Sequence, residues 1–143
     1  YQLLFTSRLY EFLYHLCRSY SHQIPSASLT GSQRDLQRVT HVMNWVKVHY
    51  PEPLSLETAA DSLALSKEYF CRLFKKYTGQ TFLEYLNDVR TMHLYEDLQN
   101  SDETITVLME KNGLSNYKIF MRTFKKLYGS TPQKMRSNRI RHV

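Results

Sequence analysis

Turn-forming and cross-linking residues are scarce in this chain. Glycine and proline occur four times each in 143 residues, about half their usual combined share. Tight turns are therefore few, and long regular elements are expected. Only two cysteines are present, Cys17 and Cys71, too few for a disulfide framework and in keeping with a reducing compartment. No apolar run approaches the roughly 18 residues that a membrane span needs. No basic stretch leads into an apolar core and a small-residue cleavage site, so a secretory signal is not expected. The six histidines are scattered, and none pairs with a cysteine at metal-ligand spacing. A Gly-rich phosphate loop, a nucleophile elbow and a paired-carboxylate signature are all missing. No catalytic residue, metal site or cofactor is therefore expected, and an enzyme is improbable. The chain starts at Tyr1 rather than Met and is read as a piece of something longer.

Aromatic and aliphatic side chains are plentiful. With 11 Tyr, 7 Phe and 42% hydrophobic residues, the chain is no candidate for disorder and is long enough to bury a core. Its net charge of +6 is unevenly spread. Residues 66–80 carry Lys67, Arg72, Lys75 and Lys76 against Glu68, and residues 116–143 carry eight bases and no acid. Together these two segments hold +11, and the remainder sums to −5, the net charge of residues 81–115 alone. Two concentrated basic patches are the footprint of a polyanion partner. Two solvated helix faces would give the same count by chance, so a second sign is required.

That sign is an internal repeat. Phe70-Cys71-Arg72-Leu73-Phe74-Lys75-Lys76 returns as Phe120-Met121-Arg122-Thr123-Phe124-Lys125-Lys126, an offset of 50. The match extends from Leu65-Ser66 to Gly79 and from Leu114-Ser115 to Gly129, with one extra residue just after the second Ser. The basic patches are these two copies. Each reads as a helix: Ser66 is a cap, Glu68 sits in the first turn, and Gly79 stops the element. Phe70, Leu73, Phe74 and Tyr77 recur at helical spacing and face inward, as do Phe120, Thr123, Phe124 and Leu127. Glu68, Cys71, Arg72 and Lys75, with Lys118, Met121, Arg122 and Lys125, lie on the opposite faces.

A short helix precedes each copy, over 56–63 with cap Ser55 and over 105–112 with cap Thr104 and stop Gly113. Short helix, tight turn and basic helix make a helix-turn-helix unit. Between the units Thr81-x-x-Glu84 is a capping box. It opens a connector helix over 82–99, with Phe82, Tyr85, Leu86, Val89, Met92 or His93, Tyr95 and Leu98 on one stripe. Such a helix spans about 27 Å. With the width of the units added, this permits a separation near the ~34 Å between successive major grooves on one face of DNA.

With these motifs, residues 39–136 resemble the DNA-binding domain of the AraC/XylS family of bacterial transcription regulators. The residues that carry the likeness are Leu65-Ser66, Phe74-Lys75-Lys76, Gly79, Tyr85-Leu86 and Arg90 in the first half. In the second half they are Ile105 to Gly113, then Phe120-x-Arg122-x-Phe124-Lys125-Lys126 and Gly129-x-x-Pro132-x-x-x-Arg136. The resemblance implies an all-α fold of seven helices, two helix-turn-helix subdomains joined by the connector, each second helix entering a major groove. Carried over by position, the base-contacting residues are Glu68, Cys71 and Arg72 in one unit and Tyr117, Lys118, Met121 and Arg122 in the other. Arg72 and Arg122 are the guanine readers, while Cys71 and Met121 suit thymine methyl groups or backbone. Met109, Leu114 and Ile119 depart from the family pattern and read as compensating core exchanges.

Phosphate contacts are expected from Lys67, Lys75, Lys76, Lys125 and Lys126. For Lys76 and Lys126 a helix-end role weighs equally. The tail bases Lys134, Arg136, Arg139 and Arg141 read as solvated. Residues 1–20 carry a further amphipathic stripe (Phe5, Leu9, Phe12, Leu13, Leu16, Tyr20) that must bury against something. The resemblance suggests the last helix of a missing sensor or dimerisation domain, and a homodimer through it. Sedimentation as a strict monomer at high concentration would remove that idea. The expected layout is this N-terminal helix (1–20), a linker (21–32), the first subdomain (33–80), the connector (81–100) and the second subdomain with its basic tail (101–143). The function expected is sequence-specific, double-stranded DNA-binding transcription regulation by an activator. RNA polymerase is its further partner, and the place is the cytoplasm, at the bacterial nucleoid, with no membrane. The alternative is a helical protein-interaction module whose basic faces dock an acidic protein.

Overall fold

The computed structural model of the protein describes residues 30–140. The amphipathic helix expected over 1–20, and the linker up to residue 29, lie outside the described residues. The chain divides into two compact units at residue 33. Of the first, residues 30–33 are described. There Thr30 N–H donates to Gln33 Oε1 and Gln33 N–H donates back to Thr30 O, both at 3.0 Å.

Among the described residues all regular structure is helical. The elements are α1 (Gly31–His49), α2 (Leu56–Asp61), α3 (Lys67–Thr78), α4 (Phe82–Asn100), α5 (Ile105–Lys111), α6 (Tyr117–Tyr128) and α7 (Pro132–Ile140). Helix α1 begins at Gly31, inside the stretch read as linker. Side-chain caps explain most of the other starts, because each supplies an acceptor to N–H groups that the helix itself leaves unpaired. Ser55, Ser66, Thr81 and Thr104 cap α2 to α5, and Ser55 with Thr58 and Thr81 with Glu84 close reciprocal capping boxes.

The repeat survives in three dimensions, and its extra residue has a structural meaning. Helix α6 is capped by Asn116, whose Oδ1 accepts from Ile119 N–H at 3.0 Å, and not by Ser115. Asn116 therefore stands where Ser66 stands in the first copy, and Ser115 is the added residue. From cap to stop the two 12-residue helices run in register, each ending on a left-handed glycine, Gly79 at φ 77 and Gly129 at φ 67. The preceding turns also match: Ala64 (φ 52) and Gly113 (φ 71) occupy the same left-handed position.

Two separate cores form. The first gathers Val39, Val42 and Val46 of α1, Ala59 and Ala60 of α2, and Phe70, Leu73 and Phe74 of α3 against Phe82, Tyr85, Leu86 and Val89 of α4. The second gathers Leu94 and Leu98 of α4, Leu108 and Met109 of α5, Leu114, and Phe120 and Phe124 of α6. Met109 and Leu114, two of the three departures from the family pattern, are both core residues. The paired rings keep one spacing in both cores, Phe70 and Phe74 5.6 Å apart between centroids and Phe120 and Phe124 5.7 Å, at interplanar angles of 46° and 68°.

Several inward assignments fail for identifiable reasons. The spacing over 33–50 puts Leu36, Val39, Val42, Met43, Val46 and Tyr50 inward. Leu36 is instead 51% exposed, because the part of α1 that enters the core begins one turn later, at Val39. Leu127 is about a third exposed, and its neighbour Tyr128 fills the place by stacking on Tyr95 at 4.2 Å. On α4 the buried residues include Thr91 and Leu94, while Met92 is exposed and His93 stacks on Tyr50 at 4.0 Å. A helix that forms a wall of two cores cannot present one stripe along its whole length.

The two helix-turn-helix halves meet at a bracket around α4. Arg90 Nε donates to Tyr50 O at 2.7 Å and its Nη2 to Glu52 O at 2.6 Å. The turn at Gly113 closes onto the same loop, so that a Cβ built there would lie 2.6 Å from Pro51 O. Asn112, buried at the end of α5, donates to Asp97 of α4 at 2.8 Å and to Leu108 O at 2.9 Å. A half-buried arginine spent entirely on carbonyl oxygens positions backbone, since charged donors make the stronger hydrogen bonds.

Candidate nucleic-acid interface

Helices α3 and α6 present the outward faces that the repeat marks out. On α3, burying Phe70, Leu73 and Phe74 leaves Glu68, Cys71, Arg72 and Lys75 in solvent. On α6, burying Phe120, Thr123 and Phe124 leaves Tyr117, Lys118, Arg122 and Lys125 exposed. Met121 is half-buried and packs on the second core, since it borders the buried arc next to Phe120 and its thioether fits there. Among the described residues, no ion pair or side-chain hydrogen bond occupies Arg72 or Arg122. Both guanidiniums keep all five donors for a partner.

Other bases at the site are already engaged. Lys67 Nζ donates to Glu57 Oε1 of α2 at 2.6 Å. That hydrogen bond draws the Glu57 carboxyl down from its usual 4.5 to about 2, with its own N-terminal backbone N–H and Ser55 assisting, and it raises Lys67. Lys126 Nζ lies 3.3 Å from Asp88 Oδ2 of α4. Lys76 sits 5.3 Å over the Tyr77 ring. Tyr69 Oη donates to the Asp35 carboxylate at 3.3 Å, which pins α3 to α1.

The Glu57–Lys67 pair gives a direct check. Because the folded Glu57 pKa lies below the unfolded one, its contribution is present above about pH 4.5 and is lost as pH falls toward 2. The pair is half-exposed, so the effect on stability is small, and the titration itself is the readout. In a carboxyl-carbon NMR titration Glu57 is expected to titrate near pH 2, and Lys67→Met to raise it toward the ordinary glutamate range. A Glu57 that titrates with the other glutamates would contradict the pair.

Acidic residues of the connector also belong to this surface, and the charge sum hid them by counting them as scaffold. A cavity of about 340 Å³ beside α6 is lined by Glu84, Asn87 and Asp88 of α4 with Ile119, Arg122, Thr123 and Lys126. Glu84 is held below its usual pKa first by the Thr81 backbone N–H and hydroxyl, then by Lys126 and Lys75. The C-terminal lysines of α3 and of α6 thus both add positive charge to the field around the start of α4. In the tail, Arg136 departs from the solvated role expected of it: its Nε and Nη2 are buried and have no hydrogen-bond partner among the described residues. Among the described residues no group of His, Cys, Asp or Glu is gathered to hold a metal, and no helix is long and apolar enough to cross a membrane.

A helix-turn-helix domain family model matches residues 59–138, which covers α3 to α6 entirely. Among similar proteins, the helix-turn-helix-type transcriptional activator RhaS of Escherichia fergusonii is 31% identical over 111 residues, 78% of this chain and 40% of RhaS. An uncharacterised helix-turn-helix-type transcriptional regulator of Staphylococcus aureus is 33% identical over 102 residues, 71% of this chain and 14% of that protein. The chain thus spans well under half the length of either relative. Among solved structures, the DNA-binding domain of the global transcriptional factor AdpA, in complex with a target DNA, superposes with a TM-score of 0.64. The identity is 25%, over 71% of this chain and 91% of that one.

Proposed function

This chain belongs to the AraC/XylS family of helix-turn-helix regulators, and we propose on that footing that it binds double-stranded DNA sequence-specifically through α3 and α6. One observation carries the reading. Arg72 and Arg122 stand 50 residues apart at the same place on two capped, 12-residue helices, both exposed and both without a partner among the described residues. A bidentate guanidinium on guanine is the commonest specific contact in the major groove. Glu68, Cys71, Tyr117 and Lys118 complete the base-facing set, with Met121 reaching a thymine methyl from the edge of its core. Lys75 and Lys125 supply phosphate contact beside the two arginines, and Lys76 adds charge at a helix end. Lys67 and Lys126 act through their carboxylate partners.

The rest of the reading follows the regulators this chain resembles. It acts in the cytoplasm, at the bacterial nucleoid, as an activator that contacts RNA polymerase, and it self-associates through residues 1–20. The known RhaS activator and the DNA complex of AdpA support the DNA-binding part.

The test is binding, by fluorescence anisotropy, to a duplex selected from a random pool and to its scrambled version. Arg72→Ala and Arg122→Ala are each expected to weaken the selected duplex by about 1–3 kcal/mol, on the order of 5- to 150-fold, and the scrambled duplex far less. Lys75→Ala and Lys125→Ala are expected to weaken both duplexes alike and to lower the salt slope by about 0.9 each. Equal losses on both duplexes for the arginine variants would defeat the specificity claim. A wild-type protein that binds no duplex even at low salt would defeat the reading, and an acidic protein partner would take its place.

A further inference from the structure

The acids lining the cavity beside α6 are oddly placed for a surface that meets a polyanion. Glu84 and Asp88 lie one helical turn apart on α4, and Arg122 and Lys126 lie one turn apart on α6, so that two acids and two bases line one gap from its two sides. Asp88 is only 16% exposed while its partner Lys126 is 60% exposed, 3.3 Å away. Glu84 is fixed from behind, because Thr81 N–H and Thr81 Oγ1 both donate to its Oε2 at 2.8 Å. Neither carboxylate is free to swing out of the way when DNA approaches. Fixed negative charge within a Debye length of the phosphate path repels it.

We propose that Glu84 and Asp88 are positioning residues for DNA recognition: they hold Lys126 against the connector and keep phosphate out of the gap beside Arg122, so that Arg122 is left for base contact. The inference rests on the reading of α3 and α6 as DNA-contacting helices. The acid pair acts as a filter. It lowers affinity for any sequence, and most for sequences where only phosphate contacts are made. Lys126, counted from sequence among the phosphate contacts, is withheld from that role.

The experiment compares the protein with Glu84→Gln, Asp88→Asn and the double variant on a selected duplex and on a random-sequence duplex between 50 and 300 mM salt. Gln keeps the capping box, and thermal melting by circular dichroism checks the fold. Should the double variant not fold, Asp88→Asn alone carries the test. The neutralised protein is expected to bind the random duplex about 10-fold tighter at low salt, with its salt slope steeper by about 0.9 for the phosphate gained. The selected duplex gains less, so the specificity ratio falls about fivefold. Adding Lys126→Met removes the gain. Unchanged slope and ratio in a folded variant, or an equal gain on both duplexes, overturns the filter while wild-type DNA binding stands. Absence of wild-type binding to either duplex overturns the DNA reading and the filter together.

Discussion

Gly113→Ala is expected to lower the melting temperature by about 10–20 °C, far more than alanine at either of the other two left-handed glycines. The residue sits at φ +71, and a Cβ there would lie 2.6 Å from Pro51 O and 3.1 Å from Arg90 Nε. Left-handed backbone costs an L-residue about 1–2 kcal/mol. A carbonyl oxygen cannot swing aside like a side-chain tip, so the forced shift adds about 1–3 kcal/mol. The total, about 2–5 kcal/mol, converts at roughly 4 °C per kcal/mol for a unit of this size. At Gly79 and Gly129 a Cβ meets open space, so only the backbone term applies there. Differential scanning calorimetry on the three variants decides the matter: equal losses would mean that the approach to Pro51 does not matter. Ala64 sharpens the comparison, because it holds the matching left-handed position in the first unit with φ 52 and is tolerated.

Phe74→Ala and Phe124→Ala are each expected to cost about 3–5 kcal/mol, a large share of the 5–15 kcal/mol typical of a domain. Both rings are fully buried and each is the hub of its core. Phe74 meets Phe70, Phe82 and Tyr85 within 5.8 Å, and Phe124 meets Phe120, Tyr128 and Tyr95 within 6.1 Å. Because the cores are separate and share the α4 wall, the damage is expected to be local as well as global. Native-state hydrogen exchange should lose protection first in α1 and α3 for Phe74→Ala, and first in α5 and α6 for Phe124→Ala. Urea midpoints that move by less than half of the expected cost, or protection lost uniformly in both variants, would contradict two cores of this kind.

Caps, stops and the aromatic spacing of α3 and α6 are local features, and they are legible in the order of residues alone. Ser66, Thr81 and Thr104 each act on an N–H three residues ahead, so a short window contains the whole interaction. The shift of the α6 cap to Asn116 is local too, once the extra residue is assigned to the turn. Features that depend on what lies across the molecule are not legible in this way. Leu94 and Thr91 are buried because α4 changes the core it serves partway along. Lys126 finds Asp88 across 38 positions of chain, and Arg90 finds Glu52 O across the same span. The candidate site divides along the same line. The exposed arginines follow from helical periodicity, whereas the acids that face them follow only from packing.

The bracket at Arg90 bears on protein engineering. Helix-turn-helix halves look like interchangeable cassettes, and a builder of hybrid regulators would cut in the connector. Here such a cut would join a foreign turn to the Pro51 loop and leave Tyr50 O and Glu52 O without their guanidinium. The Tyr50 loop, Arg90 and Gly113 therefore have to come from one parent, with new reading faces grafted onto α3 or α6 by side chain alone.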